Sequence, residues 1–99
     1  MVLNVNSANV ALSAATESGI GGGLAAAASA AAVVLTGALP MGADLDSLQF
    51  AAALNAAGAS YVGATGEQVA NRELFAGAQN IAAATYTVTD VINNTALAL

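Results

Sequence analysis

Residues Leu74–Val91 read LFAGAQNIAAATYTVTDV. Leu74, Ala78, Ile81, Thr85 and Val88, continued by Ile92, step alternately by four and three, which is the spacing of one face of an α-helix. Phe75, Ala82 and Tyr86 form a second face displaced around the same cylinder. Asp90 is the one charged residue in the stretch. A helix with two apolar faces and so little charge needs neighbours on both, so the question is whether the remaining chain supplies them.

The chain has 99 residues, of which 58% are hydrophobic, 28 are alanine and four are aromatic. That length is one domain at most. Alanine favours helix because ordering it costs no side-chain entropy, but it buries little area. A short chain with a thin alanine core is expected to be marginal alone. The basic residue is Arg72, against Glu17, Asp44, Asp46, Glu67, Glu73 and Asp90, for a net charge of −5. Phosphate binding needs clustered cations, so nucleic acid is excluded, as is attraction to an anionic lipid surface. A surface this poor in charge points to a covering partner. Cysteine and histidine are absent. That removes disulfides, thiol redox chemistry, Cys- or His-ligated zinc and His-based acid–base catalysis.

Ser18 to Ala43 carries no charge. Alanine and glycine dominate it, Leu, Ile and Val are few, and no Lys or Arg flanks it, so a membrane span or a cleavable leader is the lesser reading.

Taken in order, Ser7 or Asn6 is placed to cap a first helix over about residues 8–36. Its expected apolar stripe is Ile20, Leu24, Ala27, Ala31 and Val34. Gly19 and Gly21–Gly23 lie inside it, as a kink or as a site of close backbone approach. Residues 37–43 form the turn. Gly37 suits a left-handed helix end, and Pro40, as apex, bars helix before it. Asp44 caps a second helix over about 45–91, with a short tail over 92–99. Phe50, Leu54, Ala57, Tyr61 and Thr65 form the expected core stripe of its first half. With the turn centred near Pro40, Ser7 falls opposite about residue 74. Phe75 to Val91 would then overhang by roughly 25 Å. An exposed apolar helix end of that kind marks an interface, and its steps of three and four call for a helical partner.

Catalytic sets are missing. No base accompanies the hydroxyls, Asp44 and Asp46 are explained by helix capping, and the run from Gly19 lacks the features of a phosphate loop. No cofactor or metal is expected. Glu73 beside Arg72 reads as a solvated face. Tyr86 and Asp90 share a helix face at i and i+4, which suits a local hydrogen bond.

These residues together resemble the mycobacterial PE family. The likeness runs along essentially the whole chain. It takes in Gly19-Ile20-Gly21, the turn Leu39-Pro40-Met41-Gly42-Ala43-Asp44, Ser47, Tyr61, the Glu73/Phe75 pair and Tyr86-x-x-x-Asp90. Ser7-Ala8 stands where the family's naming Pro-Glu would be. The resemblance implies an all-α antiparallel two-helix hairpin that completes an elongated four-helix bundle with a PPE protein. It implies a PE-only, non-catalytic chain without effector extensions, exported through a type VII (ESX) secretion system. Tyr86 and Asp90 would serve as the Y-x-x-x-D export signal. An EspG-type chaperone would hold the PPE subunit. The protein would be cytoplasmic before export and secreted or held at the cell surface after it. The expected partner interface is Phe50, Leu54, Tyr61, Leu74, Phe75, Ile81 and Val88, with Pro40 and Asp44 as turn and cap. Two other readings stand beside it: a small membrane-associated or membrane-spanning helical peptide, and a homo-oligomeric structural bundle.

Overall fold

The structure, a computed structural model, describes residues 4–98. Those residues form two α-helices, α1 (Ser7–Thr36) and α2 (Leu45–Leu97), and no strand occurs among them. Asn6 caps α1, its side-chain oxygen accepting from the Asn9 N–H at 3.1 Å. Asp44 caps α2, accepting from the Ser47 N–H at 2.9 Å and from the Ser47 hydroxyl at 2.8 Å. Each cap satisfies a backbone donor that a helix start leaves free. The second helix runs on to Leu97, past the end expected near Val91.

The end of α1 departs from expectation. No described residue has a positive φ, so Gly37 is not a left-handed cap. Asn55 takes over that task. Its side-chain oxygen accepts from the Ala38 N–H at 2.7 Å, and its amide donates to the Ala38 carbonyl at 3.1 Å. With Ala38 held this way, the chain leaves the helix without a left-handed residue. Glycine is still required at 37, because a Cβ there would stand 2.6 Å from the Val33 carbonyl oxygen.

The described residues fall into two compact units. One is Gly21–Ala70; the other joins the residues up to Ile20 with those from Asn71 onward. Each holds a piece of both helices.

In the Gly21–Ala70 unit the helices run antiparallel. The buried or half-buried positions include Gly21, Leu24, Ala28, Ala31 and Leu35 on α1, and Ala51, Asn55, Gly58, Val62, Thr65 and Val69 on α2. All step by three and four, the spacing of a coiled-coil seam. Thr65 is buried there with its hydroxyl satisfied, donating to the Tyr61 carbonyl at 2.9 Å. In the other unit, Val10, Ala14 and Glu17 sit with Arg72, Ala76, Gln79 and Ala83, again by threes and fours. These segments are also antiparallel, since Ser13 pairs with Gln79 and Glu17 with Arg72.

Candidate interaction surface

The seam consists mostly of small residues, and the large apolar side chains lie beside it. In the Gly21–Ala70 unit Phe50 is 61% exposed and Tyr61 60%, and Leu54 is exposed as well. Of the stripe expected to be the core of this half, only Thr65 is buried. The correction has a steric cause. Gly58 brings the α2 backbone against Leu35, and a Cβ there would stand 2.6 Å from the Leu35 carbonyl carbon. Helices that close cannot admit Tyr between them, so Tyr61 is turned outward, while Phe50 and Leu54 border the connecting segment at Leu39, Pro40 and Met41. The α1 stripe is corrected likewise. Leu24 and Ala31 are in the seam, whereas Ile20 and Val34 are exposed. Gly19, Gly22 and Gly23 open onto free space, with nothing near the place a Cβ would take.

Val34, Leu54, Ala57 and Tyr61 line a groove of about 420 Å³ that also touches Leu35 and Gly58. Leu74, Ile81 and Val88 repeat every seven residues on α2, are all exposed, and have Phe75 next to them. Ile81 and Val88, with Ala84, Thr85 and Thr89, line a groove of about 330 Å³. All seven residues expected to form a partner interface are therefore exposed on α2.

The overhang is shorter than expected. Ser13 accepts from the Gln79 side-chain amide at 3.0 Å, and Ala83 is buried, so α1 accompanies α2 well past residue 74. The overhang is short because the turn does not fold evenly about Pro40. α1 ends beside Gly58, and the first turns of α2 pass alongside the connecting segment instead of α1. Phe75 and Ile81 are thus exposed by facing away from the seam rather than by lying beyond its end. Residues 84–98 are all exposed.

Tyr86 and Asp90 continue the seam's steps from Ala83, by three and then four. Both are exposed, and among the described residues no hydrogen bond joins the Tyr86 hydroxyl to the Asp90 carboxylate. Sequence reasoning missed the charged pair at the seam. Arg72 Nη1 donates to Glu17 Oε2 at 2.9 Å, and Ser18 donates to Glu73 at 3.2 Å. Arg72 and Glu73 are therefore tied to α1 while Glu73 stays exposed and Arg72 half-exposed. No signal in the sequence ties position 17 to position 72. Among the described residues no group of acids is placed to hold a metal ion. Asp44 is committed to its cap. The hydrogen bonds from the Ser47 N–H and then from its hydroxyl hold the Asp44 carboxyl below its usual range.

A family model described as PE family matches residues 3–93. The chain belongs to the PE family. That family is in general non-enzymatic, and its members generally pair with PPE proteins. No curated protein and no solved structure matches this PE chain.

Proposed function

We propose that this PE chain is a non-catalytic subunit that forms an obligate helical heterodimer with a PPE protein and leaves the cell by type VII (ESX) secretion. The observation that carries the reading is the outward placement of Phe50, Leu54, Tyr61, Leu74, Phe75, Ile81 and Val88 around a seam of small residues. A helical pair with these seven large apolar side chains facing outward has much apolar burial still to make, and helices of a second chain meet that need. The completed object is a four-helix bundle. An EspG-type chaperone binds it through the PPE subunit before export, and the product is secreted or displayed on the cell surface.

Tyr86 and Asp90 are the export signal in this reading. Their exposure and the missing hydrogen bond between them leave both side chains available to the secretion machinery. The test is co-expression with candidate PPE chains. A complex should co-purify, and Tyr86→Ala or Asp90→Ala should stop its secretion while leaving the complex intact. A soluble, cooperatively unfolding monomer that captures no PPE chain refutes the pairing, and unchanged secretion refutes the signal.

A membrane reading has one observation in its favour. α1 is long and apolar enough to cross a bilayer, with a mean hydropathy of 1.7 over its most apolar window. Partition of the PE chain into detergent, without any soluble complex, would favour that reading over the first.

A further inference from the structure

At the turn end of the Gly21–Ala70 unit, the connecting segment and the first turns of α2 border a groove of about 350 Å³. Leu39, Pro40, Met41, Phe50 and Leu54 give it apolar walls, and Asp46 stands among them. The walls are fixed in place. Asn55 holds Ala38 by both its N–H and its carbonyl, and the Asp44–Ser47 cap holds the other end of the segment. Gly42 is tight against that cap, since a Cβ there would stand 2.8 Å from Asp44 Oδ1. Yet Leu39 is 86% exposed and Met41 94%. Two large apolar side chains held out by a clamped segment form a prepared receptor rather than a frayed loop.

Charge selects the occupant. Asp46 is the charged residue of the lining, and among the described residues it has no hydrogen-bond or ion-pair partner. Among the described residues the one cationic side chain, Arg72, is engaged by Glu17. A second copy would bring another net −5 and, among its described residues, no unpaired cationic side chain to the acidic rim, so like charges would oppose a homodimer here.

We propose that this groove seats a helix of a different chain. That helix inserts one large apolar side chain, Leu, Phe or Met, between Met41 and Phe50, and sets a Lys or Arg one turn away against Asp46. The inference rests on the reading of the chain as half of a heterodimer, and it names the chemistry the partner carries at this end.

The test uses the full chain and three synthetic helical peptides that differ only at two positions one turn apart: Phe with Lys, Phe with Glu, and Ala with Lys. Binding is read by fluorescence anisotropy at about 50 mM salt, where surface charge is little screened. The Phe/Lys peptide should bind about tenfold more tightly than either of the others. Asp46→Asn should abolish the preference for Lys over Glu while keeping that for Phe over Ala. Phe50→Ala and, independently, Met41→Ala should do the reverse. All three side chains are exposed, so the variants spare the seam, and circular dichroism checks their helix content. Equal binding of the Lys and Glu peptides, an unchanged preference in Asp46→Asn, or no binding by any peptide overturns the proposal. PPE capture is scored separately. Loss of capture with peptide discrimination intact strikes the PPE reading alone, and capture without discrimination strikes this one alone.

Discussion

Gly58 of α2 lies so near Leu35 of α1 that no side chain fits between them. A Cβ at position 58 would stand 2.6 Å from the Leu35 carbonyl carbon and 3.2 Å from its Cβ. Glycine costs about 1 kcal/mol against alanine inside a helix, so its presence in the seam reflects this approach rather than local propensity.

Gly58→Ala should therefore destabilise the protein although it removes a helix-weakening residue. Forcing the helices apart costs about 1–3 kcal/mol, the usual toll of overpacking. Gly63→Ala is the control. Position 63 has nothing within 4 Å of an added Cβ, so the same change there should stabilise by up to about 1 kcal/mol. Urea unfolding at fixed protein concentration measures both, and the signs should be opposite.

Asn55→Ala should loosen the turn. The substitution leaves the part-buried N–H and carbonyl of Ala38 without their partner. Two such hydrogen bonds are together worth about 1–3 kcal/mol. Amide exchange should rise at Ala38, while protection at Val62 and Val69 should change less.

How far the sequence revealed these features depends on what each one is made of. The helices, both caps and the break near Pro40 are local chemistry, and Asn6, Asp44, Gly37 and Pro40 announce them. The three–four period is legible too, but a period does not say which stripe faces inward. Phe50, Leu54, Ala57 and Tyr61 follow the same steps as Ala51, Asn55, Gly58 and Val62, shifted by one residue. The larger side chains look like a core by hydrophobicity. The smaller ones form it because only they permit the close approach of α1. The exposure of Phe50, Leu54 and Tyr61 therefore has a different cause from the one their spacing suggests. The period reads Tyr61 inward, and an even turn about Pro40 puts Phe75 beyond the end of α1; in the structure both lie exposed beside the seam. The clamp of Asn55 on Ala38 and the pairing of Glu17 with Arg72 join positions far apart in sequence, where no local pattern reaches.

Acid should unwind the start of α2 through Asp44. Because its folded pKa is lowered by the Ser47 hydrogen bonds, Asp44 stabilises the fold above the unfolded carboxylate pKa of about 3.9. That contribution is lost as pH falls through the lower folded value. Asp44→Asn removes the titration while keeping a capping side chain. In a circular-dichroism titration the two proteins should differ by a constant amount above about pH 4 and converge below it. A gap that widens as pH falls would contradict this account.

The Glu17–Arg72 pair should be coupled, modestly, and in a salt-dependent way. The Nη1 to Oε2 distance is 2.9 Å, but the Arg72 side chain is 42% exposed and that of Glu17 24%, so water screens part of the attraction. Exposed pairs contribute about 0.2–1 kcal/mol, and the more enclosed carboxylate places this one toward the upper end. A double-mutant cycle with Glu17→Gln and Arg72→Met isolates the term. Arg72→Met should cost more than Glu17→Gln. It leaves the more enclosed Glu17 carboxylate unpaired, whereas Arg72 without Glu17 still has water at its guanidinium. About 1 M salt should remove most of the coupling. Coupling indistinguishable from zero at low salt would mean that the pair holds no energy and that the alanines, with the Ser13–Gln79 and Ser18–Glu73 hydrogen bonds, set the contact between these two segments.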